Sequence, residues 1–112
     1  MQITEERRDD VVVLSLKGKM MGGAETQAVH DKIKQLVDEK LLKVVIDLAK
    51  IKWMNSSGLG VVIGSMTTLK NAGGELKLSN VTEKVQSLFI ITRLITIFDT
   101  YDSLDSAVES FS

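Results

Sequence analysis

In the stretch WMNSSGLG, Trp53 to Gly60, two adjacent hydroxyls follow an amide side chain and precede a pair of glycines. Serine oxygens at such a place could attack a substrate, cap a helix or accept a phosphoryl group. Attack needs a general base that is itself held by a third group. The only histidine is His30, in the middle of a helical pattern, and there is no cysteine. No catalytic residue follows, the chain is not read as an enzyme, and His30 is expected on a solvated helix face. The run GLGVVIG from Gly58 lacks the spacing of a dinucleotide fingerprint. Its sixth position is Ile63, where Gly or Ala is needed, and it begins inside a helix. One histidine, no cysteine and no acidic cluster at loop spacing provide no metal site, and no cofactor is expected.

Capping and phosphorylation remain. A helix start needs one side-chain oxygen to accept a backbone N–H, worth about 1 kcal/mol, and Asn55, Ser56 and Ser57 could each supply it. The surplus leaves a hydroxyl for another use. A helix N-terminus has unpaired N–H groups and the positive end of the dipole, so a phosphoserine fits there. Gly58 and Gly60 either let the helix pack tightly on a sheet or let another protein's backbone approach.

The elements that must position these residues are legible from periodicity. QITEERRDDVVVLSLKG reads as a hairpin turning at Asp9 and Asp10, with Val12, Leu14 and Leu16 on one face of the second strand. From Glu25 to Lys40, Val29, Ile33, Leu36 and Val37 recur at helical spacing. KVVID, Lys43 to Asp47, is a β-branched run suited to a strand buried on both faces, with Asp47 at its end shaping the next loop. Leu59, Val62, Ile63, Met66 and Leu69 form a second helical stripe, closed by Gly73 as a left-handed cap. ELKLSN is a fourth strand and TEKVQSLFI a third helix capped by Thr82. LITIF is a fifth strand, and a terminal helix over 102–111 carries Leu104, Ala107, Val108 and Phe111 on one stripe. The order ββαβαβαβα predicts an α/β fold: a small mixed, mostly parallel sheet with right-handed crossovers and strand-to-helix loops at one edge. Trp53 is expected to plug the core beneath the serine loop.

A length of 112 residues with 44% hydrophobic content suits one domain over 1–112. There is no apolar run of about 18 residues and no signal-peptide pattern, so neither a membrane nor an extracellular address is expected. The absence of cysteine agrees with a cytoplasmic location. Fourteen basic residues against fifteen acidic, without a block of like charge, make nucleic acid an unexpected partner.

From about Val11 to Phe111 the chain resembles the STAS family, specifically the anti-sigma-factor antagonists. The resemblance is carried by Asp47-Leu48, the Ser56-Ser57-Gly58-Leu59-Gly60 run and Ala72-Gly73-Gly74. It implies a sheet with helices packed largely on one side. It also implies that Ser56, the first serine of the pair, lies in an exposed loop, with the second in the helix. A partner serine kinase of ATPase-like fold, doubling as the anti-sigma factor, would phosphorylate Ser56. The unmodified antagonist would bind that kinase and free the sigma factor, phosphorylation would reverse this, and a phosphatase would reset it. Asn55, Ser57, Gly58, Leu59 and Gly60 would form the partner surface with Met20, Met21, Gly22 and Gly23, on a monomer or weak dimer. The sequence departs from the pattern at Asn55, where such members usually have Asp. It departs again at Lys19-Met20-Met21, where they often carry acidic residues. Met20 and Met21 either fill gaps at the core's edge or form a soft exposed patch. These departures favour a second reading, a phosphorylation-independent STAS adaptor or ligand-sensing module whose serines only cap, whereas the intact run Ser56 to Gly60 favours the phosphorylation switch.

Overall fold

The computed structural model describes residues 1–91 and 98–112. Strand β1 (Gln2–Arg8) turns at Asp9, φ 57°, into β2 (Val11–Met20), and the two pair antiparallel. Helix α1 (Gly23–Asp38), strand β3 (Lys43–Met54), helix α2 (Ser56–Asn71), strand β4 (Glu75–Ser79), helix α3 (Glu83–Ile91), strand β5 (Asp99–Tyr101) and helix α4 (Leu104–Glu109) follow. The order read from periodicity is the observed one.

The strands stand in the order β1-β2-β3-β4-β5, with every pair after the hairpin parallel. Right-handed crossovers that step repeatedly in one direction must leave their helices on one face of the sheet. Accordingly, residues of α1, α2 and α3 form one core with Val12, Leu14, Leu16, Val44, Ile46, Leu76 and Leu78. The alternate residues Val11, Val13 and Val45 meet α4 through Ala107, with Leu104, Val108 and Phe111 around them. Both faces are therefore covered, which is why four consecutive residues, Val11 to Leu14, can all be buried. Lys77, also buried, is held by the residues that follow α4: its ammonium donates to Ser110 Oγ at 2.7 Å and lies 4.2 Å from the Phe111 ring centroid.

Gly73, φ 86°, closes α2 as expected. Its N–H donates to the Lys70 carbonyl at 3.0 Å, and that of Gly74 to the Leu69 carbonyl at 2.7 Å, the pair of bonds that defines a Schellman end. Other expectations are corrected. Helix α1 begins and ends two residues earlier than the apolar stripe suggested, because Gly22, φ 94°, rather than a residue near Glu25, breaks the extended chain. Strand β3 does not end at Asp47 but runs seven residues further. Thr82 does not cap α3; its Oγ1 is buried and without a hydrogen bond among the described residues. The expected strand LITIF falls largely outside the described residues, at 94–97. Phe98 is buried and stacked on Phe89 at 5.3 Å, and β5 starts after it. His30 is only partly solvated: its Nε2 shares a 2.8 Å hydrogen bond with Thr68 Oγ1, tying α1 to α2. Gly64 makes room for that ring, since a Cβ there would stand 3.3 Å from His30 Cε1.

Candidate functional site

The serine pair sits where β3 ends and α2 begins, and the residue that makes this corner is Asn55. Its extended backbone, φ −103° and ψ −177°, is that of an N-cap. Its Oδ1 accepts the Gly58 N–H at 2.9 Å, and its Nδ2 donates to the Met21 carbonyl at 3.0 Å. The Asn55 N–H donates to the Met20 carbonyl at 3.2 Å. One side chain thus caps α2 and ties it to the end of β2. An aspartate could do only the first, because an ionised carboxylate has no donor for the Met21 carbonyl. This gives the departure at position 55 a structural reason. We expect Asn55→Ala to destabilise the fold by about 2 kcal/mol, the sum of a lost cap and a lost tether, and Asn55→Ser by about half as much, since Ser still caps. Urea unfolding of the three proteins, compared at equal slope, checks the ranking.

With capping assigned to Asn55, neither serine hydroxyl is needed for it. Ser56 is not in a loop, as the resemblance implied, but is the first residue of α2; Ser56 and Ser57 are both exposed. They differ in surroundings. Ser57 faces the turn into α1, where a Cβ built on Gly22 would stand 3.0 Å from the Ser57 Cβ. Gly22 is therefore what leaves room for Ser57. No hydrogen bond of either hydroxyl is found among the described residues, and the first turn of α2 contains no acidic side chain.

The two glycines divide the roles that sequence left open. Gly58 is buried against β2, and a Cβ there would lie 2.9 Å from both the carbonyl carbon and the Cβ of Met20. Gly60 is exposed, and a Cβ there would meet nothing within 4 Å, so it is open to an approaching partner. The methionines divide likewise: Met20 is fully buried, whereas Met21 is 46% exposed. Leu59 is 2% exposed. Met20, Gly58 and Leu59 are thus buried packing residues that hold the surface in place, which for Met20 and Gly58 is one of the two roles left open by the sequence. Met21, Gly22, Gly23, Asn55, Ser56, Ser57 and Gly60 remain around the corner.

Trp53 corrects in the opposite sense. It does not plug the core but is 47% exposed, because β3 continues to Met54 and the buried Met54 turns its neighbour outward. Periodicity carried a signal for this, since an apolar residue followed by another at a strand end cannot put both on one face. Asp47 has the structural role expected of it. Its Oδ1 accepts from Ser79 Oγ at 3.1 Å and from Asn80 Nδ2 at 3.0 Å, joining β3 to the end of β4. Among the described residues, no group of three or more His, Cys, Asp or Glu is placed to hold a metal ion. No helix among them is long and apolar enough to cross a membrane.

The fold that carries this corner has known counterparts. The anti-sigma F factor antagonist of Paenibacillus polymyxa is 27% identical over 92% of this chain and 88% of its own length. The anti-sigma-B factor antagonist of Bacillus subtilis is 39% identical over 57% of this chain and 59% of its own. The Bacillus cell fate determinant SpoIIAA in its phosphorylated form superposes with a TM-score of 0.77 at 19% identity, covering 99% of this chain and all of that one, a likeness of fold. The family model of the STAS domain matches residues 2–107, nearly the whole chain, and the chain belongs to the STAS domain family.

Proposed function

We propose that this protein is an anti-sigma factor antagonist switched by phosphorylation of Ser56. The unmodified form binds an anti-sigma factor that is also a serine kinase of ATPase-like fold, and the sigma factor is released. Phosphorylation at Ser56 ends that complex, a phosphatase restores it, and the cycle runs in the cytoplasm. The observation that carries the reading is the exposed Ser56 at the first position of α2, with Asn55 already occupying the cap. A phosphate at that position meets free backbone N–H groups and the positive end of the helix dipole, so the fold accepts the modification. The relatives named as antagonists of anti-sigma factors support the partner class. SpoIIAA, whose phosphorylated form has been solved on this fold, supports the chemistry.

The exposed surface suits such a partner. Met21 and Trp53, both about half exposed, stand at the ends of the paired strands β2 and β3 next to Asn55, and buried aromatics are typical anchors of protein interfaces. Trp53 is the only tryptophan, so its emission reports on that surface directly.

The test is incubation with the candidate kinase and Mg-ATP, followed by mass spectrometry of the intact and digested protein. A single phosphoryl group on Ser56 is expected. Ser56→Ala should remain unlabelled and Ser57→Ala should be labelled; the reverse result would overturn the assignment. Complex formation by the unmodified protein should shift the Trp53 emission to shorter wavelength as water is excluded.

A further inference from the structure

Beyond Asp47, β3 pairs no longer with β4 but only with β2, as far as Met54, and β1 flanks β2 only to Lys17, so the ends of β2 and β3 project as a two-stranded arm with Lys17 at its root. Two lysines on each strand stand on this arm, Lys17 and Lys19 on β2 and Lys50 and Lys52 on β3, and all four are exposed. They line a cleft of about 420 Å³ together with Gly18, Ala49 and Ile51. All four lysines line this one cleft although the pairing register shifts between Ser15 and Lys17 and again between Gly18 and Lys19, where Gly18 takes φ 117°.

The arrangement is costly for the chain by itself. Lys17 and Lys50 are directly paired in register, and like charges opposite one another in a sheet are unfavourable. Among the described residues no ion pair involves any of the four, although six ion pairs are formed elsewhere. The remaining sequence holds ten basic residues against fifteen acidic, so the arm is a positive feature on an otherwise negative molecule. A single lysine suffices to guard a strand edge from aggregation. Two per strand, opposed across the pair, exceed that need.

We infer that the lysine-lined cleft of the β2–β3 arm is a docking site for an extended acidic segment of a protein partner, carrying carboxylates at alternate positions. The spacing selects this occupant. Lysines two residues apart on a strand are about 7 Å apart, and so are the side chains at alternate positions of an extended peptide. Carboxylates on that face meet the ammonium groups, while an apolar side chain between them rests on Ala49 and the lysine stems. Nucleic acid fits less well. The cleft offers no arginine for bidentate phosphate contact. None of the cleft residues belongs to the head of α2, so the site is independent of the role of Ser56.

Fluorescence anisotropy tests it with a labelled peptide of alternating Glu and Thr or Leu, beside a permuted peptide of the same composition with its Glu residues in one block. The alternating peptide should bind more tightly, and raising salt from about 50 to about 300 mM should weaken it severalfold. Lys17→Gln/Lys50→Gln should weaken it by roughly tenfold. Lys34→Gln/Lys70→Gln, the same charge change at exposed positions on α1 and α2, should leave it within about twofold. Melting curves confirm that both variants are folded. Equal binding of the two peptides, or equal loss in the two variants, would overturn the site. So would tighter binding of a short DNA duplex or of phosphatidylserine vesicles than of the alternating peptide.

Discussion

Ser56→Asp should weaken the complex with the partner kinase by roughly two orders of magnitude, about 2.7 kcal/mol, while Ser56→Ala binds as the wild type does. Phosphate brings about 1.5 to 2 negative charges at neutral pH, and the mimic about one. In an interface that excludes water, such a charge loses its hydration without gaining a partner, and misplaced charge of this kind costs several kcal/mol. The same charge costs the free protein nothing, because the head of α2 has no acidic neighbour in its first turn and presents the positive end of the helix. Binding and stability therefore separate. Because Asn55 holds the cap, Ser56→Ala should change stability by less than about 0.5 kcal/mol, rather than the roughly 1 kcal/mol expected of a capping serine. Isothermal titration of the two variants against the kinase, with melting curves alongside, decides between the switch and the adaptor reading. Equal affinities for Asp and Ala would remove the switch.

Gly58→Ala should cost about 2 kcal/mol of stability and lower the melting temperature by roughly 10 °C, although alanine is the better helix former by about 1 kcal/mol. The added methyl meets the backbone carbonyl of Met20, in a strand buried beneath the helix, and no rotamer change can relieve a contact with backbone. The first turn of α2 must lift, taking with it the Gly58 N–H that Asn55 caps and the serine beside it. Phosphorylation of this variant should slow for the same reason. Gly60→Ala is the internal control: it adds a methyl to open space, so only the helix preference remains, and it should stabilise by up to about 1 kcal/mol. Two glycines in one motif thus give opposite signs, read by thermal unfolding under one set of conditions. If both variants were stabilised, the close packing of α2 on β2 would be wrong.

The sequence by itself determined the element order, the mostly parallel sheet, the left-handed close at Gly73 and the helix start at the serine pair. Each of these is written in neighbouring residues: period-two and period-3.6 apolar patterns, a glycine where φ must be positive, and capping side chains. What the sequence left open were questions of which side a residue faces, and these depend on partners far along the chain. Met20 and Met21 are adjacent and alike, yet Met20 is buried and Met21 is not, because β2 runs two residues past Gly18 and ends at Met20. Gly58 and Gly60 differ only because β2 lies under one of them. Trp53 faces water because β3 continues beyond Asp47 along β2, a pairing set by residues more than thirty positions away. Asn55 was legible as one of three possible caps, but its second bond, to Met21, exists only when β2 and β3 stand side by side. Local periodicity fixes conformation residue by residue; burial and hydrogen-bond partnership arise from contacts distant in sequence, and only the folded sheet brings those together.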